Sequence, residues 1–293
     1  MQIDLGEFEV PGRGRGILDV FRRKYLLQLL IRKGTATRYR NSVLGWVWSY
    51  VKPAAQFVIY YFVMGVIMNM DRGIENFPVY LFAGVVAVNL FNEAFGNATT
   101  SIVDNRALVK KIYLPRELFP IAAIIIAFIH FLPQLAILLL VCLLIGWAPT
   151  LMGLGGMLLG IAIVLAFALG LGLLFAGLNV RYRDAQNFVE LIRMFSTWTS
   201  PVLYPWILVR NAVPDNDVLF NIYTWNPLTV AVELFHQAFW GGTVAGPAPG
   251  EADPSILPNF GTALLVATVI CVLMVIIGQT VFRHYERSFA QDL

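Results

Sequence analysis

Apolar residues recur along this chain in long unbroken blocks, and the polar residues gather between them, so the pattern is that of helices buried on all sides. A helix crosses the hydrocarbon core of a bilayer with about 20 predominantly apolar residues. Five stretches meet that requirement, at about 53–70, 78–100, 118–146, 151–178 and 259–281. A sixth, about 187–209, is interrupted by Glu190, Arg193, Ser196, Thr197, Thr199 and Ser200 and runs into Pro201 and Pro205. It is counted as a span because its polar groups can face other helices, and because an even number of crossings returns both ends to the same side. The pattern predicts an all-α integral membrane protein with six transmembrane helices.

Charge supplies the orientation. Lys and Arg are enriched in cytoplasmic loops. With the N-terminus inside, 19 of the 21 Lys and Arg fall on the cytoplasmic side, and only Arg72 and Arg210 fall outside. The outer loops carry Asp71, Glu75, Asp215, Asp217, Glu251 and Asp253 instead. Both termini are therefore predicted to be cytoplasmic. The chain divides into a cytoplasmic N-terminal segment (1–52), a six-helix transmembrane domain (53–281) and a cytoplasmic tail (282–293). The basic first segment has no apolar run closed by a cleavage-type ending, and it reads as a segment that stays attached.

Composition agrees with a membrane class. The chain is 58% hydrophobic and 13% charged, with a mean hydropathy of +0.69. Soluble domains are about a quarter charged, so lipid has to cover part of this surface. The two cysteines, Cys142 and Cys271, each sit alone in an apolar run and read as packing residues.

Within the outer loop at about 210–258, Asn226 followed by Pro227 has the form of an N-cap and first helical position. Ala231, Leu234, Phe235 and Ala238 then share one helical face, with Glu233, His236, Gln237 and Trp240 on the other. Such a helix is too short to span, and its amphipathicity predicts that it lies in the membrane interface or dips into it. The Gly- and Pro-rich stretch 242–258 predicts a mobile end to that loop.

Catalytic and nucleotide-binding signatures are missing from the sequence. There is no GxxxxGK[ST] phosphate loop, no HExxH and no paired-cysteine metal spacing. The residues thus point to no enzyme activity and no cofactor held by this chain. His130 lies inside the third span, where an interhelical hydrogen bond and a proton relay are both open to it. Asn89, Asn92, Glu93, Gly96, Asn97 and Thr100 recur on one side of the second span. A carboxylate at mid-membrane costs about 2.5–3.5 kcal/mol on insertion scales, so Glu93 should face protein or water. That stripe either walls a pathway or ties helices together. Trp46, Tyr50, Phe57, Tyr61 and Met64 line one face where the chain enters and crosses the membrane. Their flat rings suit a sliding sugar chain, or they are interhelical packing with interfacial anchors.

Four motifs carry a family resemblance. RYRNSVLGWVWSYVKP (Arg38 to Pro53) resembles the entry to the first membrane helix of ABC-2-type export permeases. LVKKIYLPRELFP (Leu108 to Pro120) is similar to that family's cytoplasmic loop between spans two and three, NVRYRD (Asn179 to Asp184) to its close of span four, and WNPLT (Trp225 to Thr229) to its outer helical element. Among the subfamilies the chain most resembles the Wzm-like exporters of O-antigen, teichoic acid or galactan, and within them the actinobacterial exporter of a lipid-linked galactan.

The resemblance implies a half-transporter: two copies of this chain forming a homodimer, two copies of a separate ATPase subunit that binds ATP and Mg, and a lipid-linked polysaccharide as cargo in the bacterial cytoplasmic membrane, with no nucleic acid involved. It implies a coupling helix within a loop at about 101–117, mapping to Asp104 through Pro115, and an interface helix at Ile17 to Lys33. The apolar and basic positions of the latter do not separate cleanly on a wheel. In the coupling loop Asp104 can cap a short helix, Arg106, Lys110 and Lys111 are cationic, Ile112, Tyr113 and Leu114 offer an apolar knob, and Pro115 stops the turn. A basic loop that only anchors the topology is the alternative for that segment. An ABC-2 permease for a drug or lipid, and a multi-span enzyme acting on a membrane lipid, are the rival functions.

Overall fold

A computed structural model of the chain describes residues 20, 23–38, 45–111, 114–182, 184–244 and 256–293. Among them every regular element is helical. The elements are α1 (Lys24–Arg38), α2 (Trp48–Tyr60, continuing as a π-helix over Tyr61–Ile67), α3 (Phe77–Asp104), α4 (Arg106–Lys111), α5 (Leu118–Leu144), α6 (Leu151–Arg181), α7 (Ala185–Trp198), α8 (Trp206–Ala212), α9 (Asp217–Trp225), α10 (Pro227–Phe235, continuing as a π-helix over His236–Trp240), α11 (Phe260–Glu286) and α12 (Phe289–Asp292).

Five of these, Trp48–Ile67, Phe77–Asp104, Leu118–Leu144, Leu151–Arg181 and Phe260–Glu286, are long and apolar enough to cross a membrane. The segment expected as a sixth continuous span, 187–209, is two helices instead. α7 stops at Trp198, and a turn at 199–205 containing Pro201 and Pro205 separates it from α8. The prolines supply no amide hydrogen to a helix ladder, and Ser200 turns its hydroxyl back to the carbonyl of Ser196 at 2.7 Å. A 14-residue helix is about 21 Å long, shorter than the hydrocarbon core.

The core forms around α3. Within its most apolar stretch 72% of residues are buried, against 6% for the α2 span, so α3 is enclosed by protein while α2 presents its surface outward. Phe91 and Phe95 of α3 stack on Phe167 and edge onto Phe175 of α6. Glycines let the backbones close further. A Cβ at Gly278 of α11 would lie 2.1 Å from the Gly170 carbonyl oxygen, and one at Gly172 would lie 2.6 Å from the Ala98 Cβ. Without water to drive association, such close backbone approach is how helices gain dispersion contact in lipid.

The helix α10 is enclosed by protein. All nine of its residues are buried, Glu233 included. Its apolar face meets Gly156 and Gly160 of α6, and its polar face finds partners within the protein. His236 stacks on Tyr80 at 3.8 Å and sits 3.1 Å from that residue's carbonyl oxygen, with Glu233 at 3.5 Å. The stacking on Tyr80 and the contact with its carbonyl place His236 inside the bundle. Asn226 caps it, accepting from the Leu228 amide at 3.1 Å, with Pro227 at the first helical position as expected. Trp240 donates to the Glu75 carbonyl at 2.7 Å, Trp147 to the Ala238 carbonyl at 3.0 Å and Asn76 to the Thr243 carbonyl at 2.8 Å, tying α10 to the other outer turns. Residues 245–255 of the Gly- and Pro-rich stretch, and 17–19, 21 and 22 of the expected interface helix, lie outside the described residues.

Candidate functional site

The sequence brings an unusual number of amides to one face of α3, and the structure opens a cavity of about 280 Å³ in front of them. Asn89, Asn92, Glu93 and Asn97 form that wall, their spacing of three to four residues keeping them on one side of the helix. Trp48, Ser49, Lys52 and Gln56 of α2 stand opposite, while Gln134 of α5 and Arg193 of α7 complete the lining. Glu93 Oε1 is 2.7 Å from His130 Nδ1, which joins α3 to α5, so the interhelical contact open to His130 is made with that carboxylate. Ser196 of α7 donates to Asn92 Oδ1 at 3.0 Å. Gly96 makes room for the guanidinium of Arg193, whose Nη1 would lie 2.9 Å from a Cβ there. The stripe on α3 thus both links helices and faces open space.

Two further cavities adjoin this one. The first, about 280 Å³ and nearer the α3 C-terminus, shares Asn97 with it and adds Thr100, Ser101, Asp104, Asn105 and Lys33. Lys33 of α1 donates to Asn105 Oδ1 at 2.9 Å. Polar side chains therefore run along α3 from mid-helix to its end. The second, about 300 Å³, is apolar, shares Pro53 and Gln134, and is lined by Tyr50 and Phe57. Phe57 meets Phe82 edge-on at 5.3 Å and Tyr61 at 6.1 Å, and Tyr61 in turn meets Phe77 at 6.4 Å. Met64 packs against the same core. Tyr50 and Phe57 thus face a cavity beside the polar one, whereas Tyr61 is engaged in ring contacts. The side chain of Trp46 lies outside the described residues.

The coupling loop is built differently from its sequence reading. Asp104 ends α3, and Asn105 occupies the junction, its carbonyl accepting from the Leu108 and Val109 amides. Asp104 is thus the last residue of α3, and Asn105, not Asp104, precedes α4. Arg106, Lys110 and Lys111 are exposed on α4 and Val109 is its one buried residue. Leu114, half-buried, packs on an apolar cluster, and Pro115 is buried. The cluster draws Leu114 in because it already gathers Ile102, Phe119, Phe282 and Phe289. Ile112 and Tyr113 lie outside the described residues.

Phe289 of α12 is fully buried between Val109 and Phe282, and Arg116 lies 5.6 Å over its ring while donating to the Glu286 carbonyl. Beside it Glu117, wholly buried, accepts from Gln279 at 3.0 Å and is 3.9 Å from Arg283. Both ends of the coupling loop are therefore seated on the end of α11 and on α12.

Sequence reasoning did not single out Lys52, Gln56, Gln134 or Arg193 as cavity residues. Lys52 counts toward the cytoplasmic charge and Arg193 interrupts the stretch 187–209; Gln134, next to Pro133 in an otherwise apolar span, is the available signal. Among the described residues no three His, Cys, Asp or Glu are placed to hold a metal ion.

A family model described as ABC-2 type transporter matches residues 25–240. The chain is 29% identical over 274 residues to the O-antigen export system permease protein RfbA of Klebsiella pneumoniae, covering 92% of this chain and 96% of that protein. It is 23% identical over 279 residues to the protein of the same description from Myxococcus xanthus, covering 95% and 99%. It is also 23% identical over 227 residues to the polysialic acid transport protein KpsM of Escherichia coli, covering 76% and 84%.

Proposed function

The chain belongs to the ABC-2 type transporter family, and on that premise we propose that it is the membrane-spanning permease subunit of an ATP-driven exporter of lipid-linked polysaccharide in the bacterial cytoplasmic membrane. The observation that carries the reading is the polar face of α3, which lines two adjoining cavities from Asn89 to Asp104. Amides suit a polyhydroxylated chain because each offers both a donor and an acceptor. Tyr50 and Phe57 of α2, on the apolar cavity that adjoins the one walled by Asn89, Asn92 and Glu93, would add an aromatic side to the same path.

This chain would make six crossings, α7, its turn and α8 together completing the one between α6 and α9, with both termini in the cytoplasm. Nineteen of 21 cations on one side of that topology support it. A second copy would lie against α2, whose span is only 6% buried within one chain. A separate ATPase subunit, holding ATP and Mg, would dock on the loop from Asp104 to Pro115, with Arg106, Lys110 and Lys111 toward it. Closure of the ATPase then moves α4. Since Val109 and Arg116 grip the end of α11, a displacement of the loop reaches a membrane helix directly. The chain makes no bond; its task is to hold two arrangements whose balance the docked ATPase shifts, which requires contacts that differ between them.

The test uses the complex of this chain with its ATPase in vesicles. Asn89→Leu should lower export of the long glycan at least tenfold while assembly and thermal stability hold. Unchanged export with a leucine at that wall would overturn the reading.

A further inference from the structure

The polar cavity holds more positive charge than its own carboxylate can match. Arg193 enters it from α7, within a segment otherwise rich in apolar residues, and its Nε is buried with no hydrogen-bond partner. Among the described residues neither Arg193 nor Lys52 has a carboxylate within ion-pair distance. Glu93, the carboxylate in the cavity lining, is 2.7 Å from His130. A cation drawn into a low-dielectric wall persists where a counter-charge arrives to meet it.

The remaining groups define which counter-charge fits. Asn92, which accepts from Ser196 through Oδ1, also lines the cavity and carries amide N–H donors. The guanidinium of Arg193 lies close against Gly96, where a Cβ would stand 2.9 Å from Nη1 and 3.1 Å from Cζ. A guanidinium, an ammonium and an amide N–H are a donor set for a planar or tetrahedral oxyanion. Gln134 Oε1, buried without a partner, is the acceptor that a hydroxyl beside the anion would fill.

We infer that the cavity between α2, α3, α5 and α7 is a subsite for an oxyanion carried by the exported molecule, gripped by Lys52 and Arg193 from opposite walls. The inference rests on the reading of this cavity as part of the export path and adds the chemical class of what it holds. The same oxyanion chemistry has two sources, a phosphate joining the glycan to its lipid, or an acidic sugar within the glycan.

The experiment measures binding to the purified complex in nanodiscs. Its probes are a polyprenyl pyrophosphate, the neutral polyprenol of equal length, an oligomer of an acidic sugar, and a neutral oligosaccharide of equal length. At least one anionic probe should bind tenfold or more tighter than its neutral counterpart. Lys52→Gln and Arg193→Gln should each remove most of that preference, while Arg193→Lys retains part of it. Preference for the pyrophosphate places the anion at the lipid linkage; preference for the acidic oligomer places it in the glycan. Equal binding of charged and neutral probes, or preference that survives both glutamine variants, overturns the subsite. Lys52 is exposed, so its variant carries the test if Arg193→Gln does not fold. If glycan export persists at the wild-type rate in Lys52→Gln and Arg193→Gln but collapses in Asn89→Leu, the path stands and the anion subsite is wrong.

Discussion

The guanidinium of Arg116 donates to the main-chain carbonyl of Glu286, so the loop that precedes α5 is fastened to the last turn of α11. One side chain satisfies a helix-end carbonyl, covers the ring of Phe289 and follows directly on the coupling loop.

Truncating that ring is therefore expected to uncouple the loop. Phe289→Ala removes a fully buried aromatic at a cost of about 3–5 kcal/mol to the cluster. The transmembrane helices should still insert. ATPase co-purification, or the stimulation of ATPase activity by the permease, should fall several-fold. Normal stimulation by a stable Phe289→Ala complex would show that α12 takes no part in docking.

Arg116→Ala should act in the same direction and more weakly. An unmet carbonyl and a lost ring contact amount to about 1–3 kcal/mol together. Thermal unfolding of the purified chain reads the loss, and Arg116→Lys should restore part of it.

The seam between α6 and α11 has no room for a methyl group. A Cβ on Gly278 would meet the Gly170 carbonyl oxygen at 2.1 Å. Gly278→Ala should lower stability by about 1–3 kcal/mol as the helices are forced apart. Gly261→Ala, where a Cβ meets nothing within 4 Å, is the control that should leave the unfolding temperature unchanged.

Topology is open to direct labelling. Single cysteines placed at Asp215 and at Lys110, both exposed, should react with an impermeant thiol reagent from opposite sides of the membrane. The native Cys142 and Cys271 are buried and should contribute little background. Reaction of both introduced thiols from one side would remove the six-span topology.

Tyr61 separates an aromatic path from packing. As a path residue its alanine variant loses glycan export while assembly and melting temperature stay near normal. As a packing residue, in contact with Phe57 and Phe77, it loses stability first and export in proportion.

How far the sequence could be read depended on whether a residue's partner is near it in the chain. Blocks of apolar residues revealed five spans because lipid acts on each helix separately. Asn226 and Pro227 were legible as a cap because the hydrogen bond they arrange is local. The burial of α10 was not, since Glu233 and His236 draw a polar face on a helical wheel while Tyr80, 156 positions from His236, is what meets that face. Lys52 was legible only as a cytoplasmic cation and Arg193 only as a polar interruption of 187–209, because position along the chain does not say which way a long side chain reaches. Leu114 looked wasted on water until Phe289, at the far end of the chain, brought an apolar cluster to it. The stretch 187–209 held its own warning in Pro201 and Pro205, but hydropathy averaged over a window passes across a break of a few residues.

Contact between Gly170 and Gly278 leaves no side chain at that point of the α6–α11 seam, and so no rotamer there that can yield under load. A rod assembled in this way carries force instead of absorbing it. α11 runs 27 residues, about 40 Å, from its beginning at Phe260 to the turn that Arg116 grips. The end that Arg116 grips and the seam with α6 thus belong to one continuous helix, while α2 is the least enclosed of the five.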